Sequence, residues 1–221
     1  TNDVAHNLET VDKLMATIKQ PVDVVVLPEV FNYRNTSNHS DVYAEPLSGK
    51  SVDHLQQVAQ QYNTHIIAGS ITEASISKKA YNTCAVIQPN GDIMATYRKM
   101  HLFDVSVQGK TITESNRFMA GTQPEIVTIS GWKIGLSICY DLRFPELYRW
   151  YFKKQVDAVV VPSSFTYSTG EKHWHVLCRA RAIENQCYVL APNQCGLGAA
   201  QTQTYGHSLV ADPLGSVVAE A

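Results

Sequence analysis

Apolar residues at Val4, Leu8, Val11, Leu14, Met15 and Ile18 recur at spacings of three and four, which predicts an amphipathic helix. The next segment, VDVVVLPE, is a continuous apolar run of strand length, the pattern of a strand covered on both faces. Val52, Leu55, Ala59 and Tyr62 mark a second helix, and THIIAGS a second buried strand. YNTCAVIQPNGDIMATYRK reads as two strands joined at a Pro-Asn-Gly-Asp turn. After a polar loop, EIVTISGWKIGLSIC reads as a further hairpin whose second strand ends at Cys139. PELYRWYFKKQ reads as a helix with Pro145 in its first turn, where the missing N–H has no helical partner to lose. VDAVVVPSS, HWHVLCRARAIENQ and CYVLAPNQ continue as strand, helix and strand, and GHSLVADPLGSVVAE closes as a hairpin around Asp-Pro-Leu-Gly.

Helices and strands therefore alternate, with hairpins inserted, which predicts an α/β fold with mixed sheets. No linker interrupts the pattern, so residues 1–221 are expected to form a single domain. VDVVVLP at 22–28 and VDAVVVP at 156–162 echo each other, as two related helix–strand halves would or as strand composition alone would. The first residues run into a helix without a start Met and the last stop in a strand-like pattern, so native sequence is expected to be missing at both ends.

Composition narrows the function classes. The net charge is −2 and no Lys/Arg block occurs, which argues against a nucleic-acid or anionic-membrane surface. No run is long enough to span a membrane. Five cysteines without a CxxC pair read as reduced thiols in a cytoplasmic compartment.

The apolar strands deliver polar groups at their ends: Glu29, Cys139, Ser163 with Ser164, and Asn193. In open α/β sheets the carboxyl ends of strands form the ligand crevice. Glu29 follows a stiffening Pro28 and is either a solvent carboxylate or a partly desolvated general base. Lys99, among Tyr97, Met100, Leu102 and Phe103, is either an exposed strand end or a buried lysine that needs an anionic partner. Cys139 is either a small core residue or a nucleophile at a sharp strand-to-helix turn, beside backbone N–H groups that stabilise an oxyanion. Cys84, Cys178, Cys187 and Cys195 lack that context and read as structural. His101, His173, His175 and His207 are the candidate bases for a Cys–His site, and none has a diagnostic spacing. A metal set of His173, His175 and Cys178 matches no familiar ligand pattern, and no phosphate-loop motif is present.

LPEVFNY, YRKMHLFD and ICYDLRFPELYR, in this order, resemble the three signature segments of the nitrilase superfamily of carbon–nitrogen hydrolases. The resemblance implies an α-β-β-α sandwich of two mixed sheets flanked by helices. It also implies a catalytic group of Glu29, Lys99 and Cys139, with a second glutamate downstream of the lysine at Glu114. Within the superfamily, Cys139–Tyr140–Asp141–Leu142–Arg143–Phe144–Pro145–Glu146 is similar to the Nit amidase branch, whereas true nitrilases more often carry Trp-Glu after the cysteine.

The activity so implied is hydrolysis of a small carboxylated amide to acid and ammonia through a cysteine thioester, with no metal or organic cofactor. Deaminated glutathione is the expected substrate, with an ω-amidase acting on α-ketoglutaramate as the alternative. A catalytically silent binding protein on the same fold is the reading from another class. The backbone N–H of Tyr140 would join Lys99 at the oxyanion. Arg143 either binds a substrate carboxylate or pairs with Glu146 or Asp141 to hold the turn. Phe165 and Trp174 either line the pocket or belong to the core. Relatives imply a homodimer or higher homo-oligomer.

Overall fold

The computed structural model describes residues 1–34, 43–107, 110–197 and 202–221. Four helices occur among them: α1 (Val4–Met15), α2 (Lys50–Tyr62), α3 (Pro145–Lys153) and α4 (Tyr167–Asn185). The first strands are β1 (Val24–Val26), β2 (His65–Ile67), β3 (Ile71–Glu73), β4 (Ala80–Ile87) and β5 (Ile93–Arg98). Then come β6 (Asp104–Val107), β7 (Lys110–Thr113), β8 (Phe118–Met119), β9 (Ile126–Ile129) and β10 (Trp132–Leu136). The last are β11 (Ala158–Val160), β12 (Tyr188–Ala191), β13 (Cys195–Leu197), β14 (Gln203–Tyr205), β15 (Leu209–Ala211) and β16 (Val217–Glu220).

Two six-stranded sheets carry the architecture. One runs β1-β2-β4-β3, with β5 and β8 also on β4; the other runs β16-β15-β12-β11-β10-β9. Both are mixed, with parallel pairs β1/β2, β10/β11 and β11/β12 among antiparallel ones. Because consecutive strand residues face opposite ways, a sheet covered on both faces buries neighbours in different cores. Ile66 joins the core under α1 and α2 with Val4, Leu8, Val52 and Leu55, whereas Ile67 joins a core between the sheets. Val160 faces that same inter-sheet core, and Val159 packs with Tyr148, Tyr151, Trp174 and Cys178 of α3 and α4. The result is helices, sheet, sheet, helices, the expected α-β-β-α sandwich.

Several expectations need correction. The twin runs have different fates: β11 is fully buried between two neighbours, but Val24–Val26 are only half-buried. β1 pairs only with β2 among the described residues, and an edge strand cannot be covered as a central one is. α4 begins at Tyr167, ahead of His173, and so includes Gly170. A Cβ on Gly170 would lie 2.3 Å from the Tyr205 side chain, so close packing outweighs the poor helix propensity of glycine. The loop after Lys99 contains a small hairpin, β6/β7. Finally, β10 ends at Leu136, and Cys139 opens a short 3-10 helix, Cys139–Arg143.

Candidate active site

Glu29 and Cys139 converge with Lys99, whereas Ser163 Oγ donates to the Val161 carbonyl at 2.9 Å and Asn193 Oδ1 accepts from the Phe165 N–H at 3.0 Å. After β1, the Leu27 N–H still pairs with the Ile67 carbonyl at 3.0 Å, carrying the strand direction up to Pro28 and Glu29. The backbone then turns at Val30 (φ 45°), whose N–H donates to Ser70 Oγ at 2.9 Å. This needs a glycine at position 69: a Cβ there would sit 2.0 Å from the Pro28 carbonyl oxygen. Lys99 follows β5, with its N–H on the Asn82 carbonyl and its carbonyl accepting from Gly121, both at 2.8 Å.

Lys99 is 2% exposed and lies between two carboxylates. Its Nζ donates to Glu29 Oε1 at 3.1 Å and to Glu114 Oε1 and Oε2 at 3.1 and 2.9 Å. Burial alone lowers the Lys99 pKa, but Glu29 and Glu114 outweigh it and hold the amine well above the ordinary lysine range. Glu114 sits in a one-turn 3-10 helix after β7 and also accepts from the Phe103 N–H at 2.6 Å.

Cys139 approaches from the other sheet. The Ser137 N–H pairs with the Val160 carbonyl and the Cys139 N–H with that of Pro162, at 3.1 and 2.9 Å, extending the line of β10 beside β11. Cys139 then adopts φ 48°, a left-handed conformation that costs an L-residue about 1–2 kcal/mol. Strain of this kind aims a side chain away from the path of a regular helix or strand. Burial drives the thiol pKa well up, and the Glu29 charge and its hydrogen bond add to the rise. Lys99 and a backbone hydrogen bond from Ser164 oppose it without reversing it. The sulfur therefore rests as a thiol and needs a base to become a nucleophile.

A buried carboxylate joins the two halves. Asp141 Oδ2 accepts from Tyr97 Oη at 2.7 Å and the Ile138 N–H at 2.9 Å, and Oδ1 from the His101 N–H and Nδ1 at 2.9 and 2.7 Å. Asp141 thereby clamps the residues flanking Lys99 to the residue preceding Cys139. Its partner His101 also stacks on Phe144. An Asp141→Asn variant turns an NH2 group toward two of those donors, at about 1–3 kcal/mol for each bond lost. Its unfolding midpoint in urea is expected to fall accordingly; an unchanged midpoint contradicts the clamp.

The remaining sequence candidates divide. Arg143 is half-buried and pairs with neither Glu146 nor Asp141; its Nη2 lies 3.2 Å from His173 Nδ1. Its guanidinium lies over the Tyr140 and Phe165 rings, 5.7 and 5.4 Å from their centroids. Burial and then Arg143 lower the His173 pKa, keeping that ring an acceptor. Phe165 touches this guanidinium, but Trp174 is 0% exposed and donates to the His207 carbonyl at 2.6 Å, which places it behind Phe165 in the core. His173, His175 and Cys178, which match no familiar ligand pattern, are also dispersed, because Cys178 is buried in the core and His173 is turned to Arg143. Instead His175 and His207 share Glu220 Oε1, at 3.1 and 2.6 Å, in an exposed group that includes none of the residues around Cys139.

Sequence reasoning overlooked three residues. Asn82 donates to Glu29 Oε1 at 2.9 Å. Asp141 is the clamp described above. Arg34 is partly buried, and Glu29 and Cys139 both act on its charge. Only Asn82 had a usable signal, since it lies across the β4/β5 hairpin from Lys99.

Similarity to known proteins shows the family. The family model described as carbon-nitrogen hydrolase matches residues 1–221. A deaminated glutathione amidase of Synechocystis sp. is 40% identical over 225 residues, covering 99% of this chain and 83% of that protein. The omega-amidase NIT2 of Xenopus tropicalis is 39% identical over 219 residues, covering 98% and 79%. Among solved structures, the C. elegans NitFhit protein superposes with a TM-score of 0.89 at 34% identity, covering all of this chain and 55% of that one. With the family model matching throughout and relatives aligning over nearly its whole length, the chain belongs to the carbon–nitrogen hydrolase family.

Proposed function

We propose that the chain is a cysteine-dependent amidase acting on a small carboxylated amide. The observation that carries this reading is the buried Lys99 held between Glu29 and Glu114, with Cys139 brought to Glu29 at a strained turn. Glu29 accepts the Cys139 proton as sulfur attacks the amide carbon. Lys99 and the Tyr140 N–H stabilise the oxyanion; the Asp141 N–H is already taken by the Ile138 carbonyl at 3.0 Å. The tetrahedral intermediate then breaks its C–N bond, and Glu29 returns the proton to the departing nitrogen. Water, deprotonated by Glu29, attacks the thioester, and the C–S bond breaks to release the acid and restore the thiol. Glu114 keeps Lys99 charged and in place.

The substrate reading rests on Arg143. A half-buried guanidinium with no carboxylate partner among the described residues, flanked by two aromatic rings, is a site for an anion. The names of the aligned relatives point to deaminated glutathione and, as a second reading, to an ω-amidase, for which the family resemblance implies α-ketoglutaramate. The leaving groups differ. α-Ketoglutaramate is a primary amide and releases ammonia, whereas the substituted amide of deaminated glutathione releases an amine, so the expectation of ammonia holds only for the former. Both yield the same 2-oxo diacid, and comparing kcat/KM by its appearance ranks the two. No acid from either, and no acyl adduct on Cys139 by mass spectrometry, overturns the amidase reading. Arg143→Met is expected to raise KM about 10- to 100-fold for the carboxylated substrate. An equal loss on an analogue with that carboxylate esterified contradicts the assignment.

The five free cysteines support a reducing, cytoplasm-like setting. Exposed Val176 and Ile183 on α4, with Leu214 and Val218 on the closing hairpin, support a homo-oligomer, which light scattering tests.

A further inference from the structure

We propose that Asn82 is a positioning residue for Glu29, retained at a cost to folding because its amide fixes the carboxylate oxygen that also faces Lys99. This rests on the reading of Glu29 as the base. Asn82 is 2% exposed, and its Nδ2 donates to Glu29 Oε1 at 2.9 Å. Lys99 Nζ donates to the same oxygen at 3.1 Å, so two donors hold Oε1 and leave Oε2 to take the thiol proton. The backbone of Asn82 also receives the Lys99 N–H at 2.8 Å, so one residue sets both members of the pair.

The amide's other end shows the cost. Among the described residues, Asn82 Oδ1 is buried without a hydrogen-bond partner. Buried polar groups are almost always satisfied, and an orphan acceptor is normally removed by substitution with an apolar residue. Turning the amide over does not remove the defect: it would set an oxygen against the Glu29 carboxylate and orphan the NH2 group instead. A residue chosen only for packing at this place would be apolar. What the orphan secures is the single bond to Glu29.

An Asn82→Leu variant, branched at the same carbon, tests this. Its thermal midpoint is expected to equal or exceed that of the wild type, while kcat falls about 10- to 100-fold, since slight misplacement of a catalytic group is costly. The charged and titratable groups facing Glu29 are Lys99, the Cys139 thiol and Arg34, with Glu114 beyond Lys99, and all remain in the variant. Alkylation of Cys139 by iodoacetamide, in which the S–C bond forms as iodide leaves and Glu29 takes the proton, should slow in parallel without any amide substrate. A preserved kcat, or kcat lowered with unchanged alkylation, overturns the proposal. If Glu29→Gln keeps full activity, the base reading fails instead, and the positioning role falls with it.

Discussion

Replacing Cys139 with alanine is expected to lower kcat by about 10⁶-fold, the scale seen when a covalent nucleophile is removed. The size follows from what the turn holds. The fold accepts a left-handed φ of 48° at a non-glycine residue, which brings the sulfur under the influence of Glu29 and Lys99. Alanine keeps the turn and loses only the sulfur, so stability changes little while the thioester route closes. Glu29→Gln is the informative companion. The thiol pKa is pushed well up by burial and then by the Glu29 charge, so little thiolate exists near neutral pH without a base. The glutamine variant loses that base and is expected to fall by about 10²- to 10⁴-fold. Mass spectrometry should find an acyl adduct in the wild type and none in Cys139→Ala. Appreciable turnover by the alanine variant would refute the mechanism.

Lys99→Met is expected to damage both activity and stability, and the second effect separates it from Cys139. Lys99 stands between Glu29 and Glu114, whose side chains are 8% and 12% exposed. Removing the ammonium leaves two carboxylates facing each other with no cation between them. Breaking a buried ion pair from one side costs about 3–5 kcal/mol, because an uncompensated charge remains. Loss of one oxyanion donor lowers kcat by a further 10²- to 10³-fold or about that.

The pH dependence carries a sign that can be checked. In Lys99→Met the folded state favours protonating a crowded carboxylate, so it binds more protons than the unfolded chain and its stability should rise as pH falls from 7 toward 5. The wild type behaves differently. Lys99 titrates above the ordinary lysine value of about 10.5, because the two carboxylates outweigh burial. Its contribution to stability is complete below that ordinary value and is lost only as pH rises through the higher folded one. Activity should therefore show no alkaline loss from Lys99 below about pH 10. Urea unfolding at several pH values reads the first effect and a rate profile the second. A variant as stable as wild type at pH 7 would show that the ammonium does not balance the pair.

Much of the frame was legible in the chain. The 3-4 spacing of Val4, Leu8 and Val11 and the runs at 24–26 and 158–160 identify elements because burial on one face or both leaves a periodic trace. Pro145 marks the start of α3 for a local steric reason. Burial depth was not legible: nearly identical valine runs became a half-exposed edge strand and a fully buried central one, since neighbours determine exposure. Asn82 shows a subtler limit. Counting back from the Pro-Asn-Gly-Asp turn sets it opposite Lys99, but nothing in that spacing shows that its amide reaches Glu29. Asp141 and Arg34 left no trace, because a hydrogen-bond clamp or a nearby charge has no period.

The sequence by itself determined the alternation of helices and strands, the polar groups at strand ends and, through three ordered segments, the family resemblance. These depend on residue type and short spacing, which the chain carries directly. Only the tertiary structure decided that Lys99 bridges Glu29 and Glu114 and that Arg143 has no acidic partner among the described residues. Trp174 lies behind the site, and Asn82 bears an orphaned oxygen beside the Glu29 carboxylate. Such relations join residues as far apart as Glu29 and Cys139, one from each sheet, and they are set by sheet order, register and packing, to which local propensity is blind.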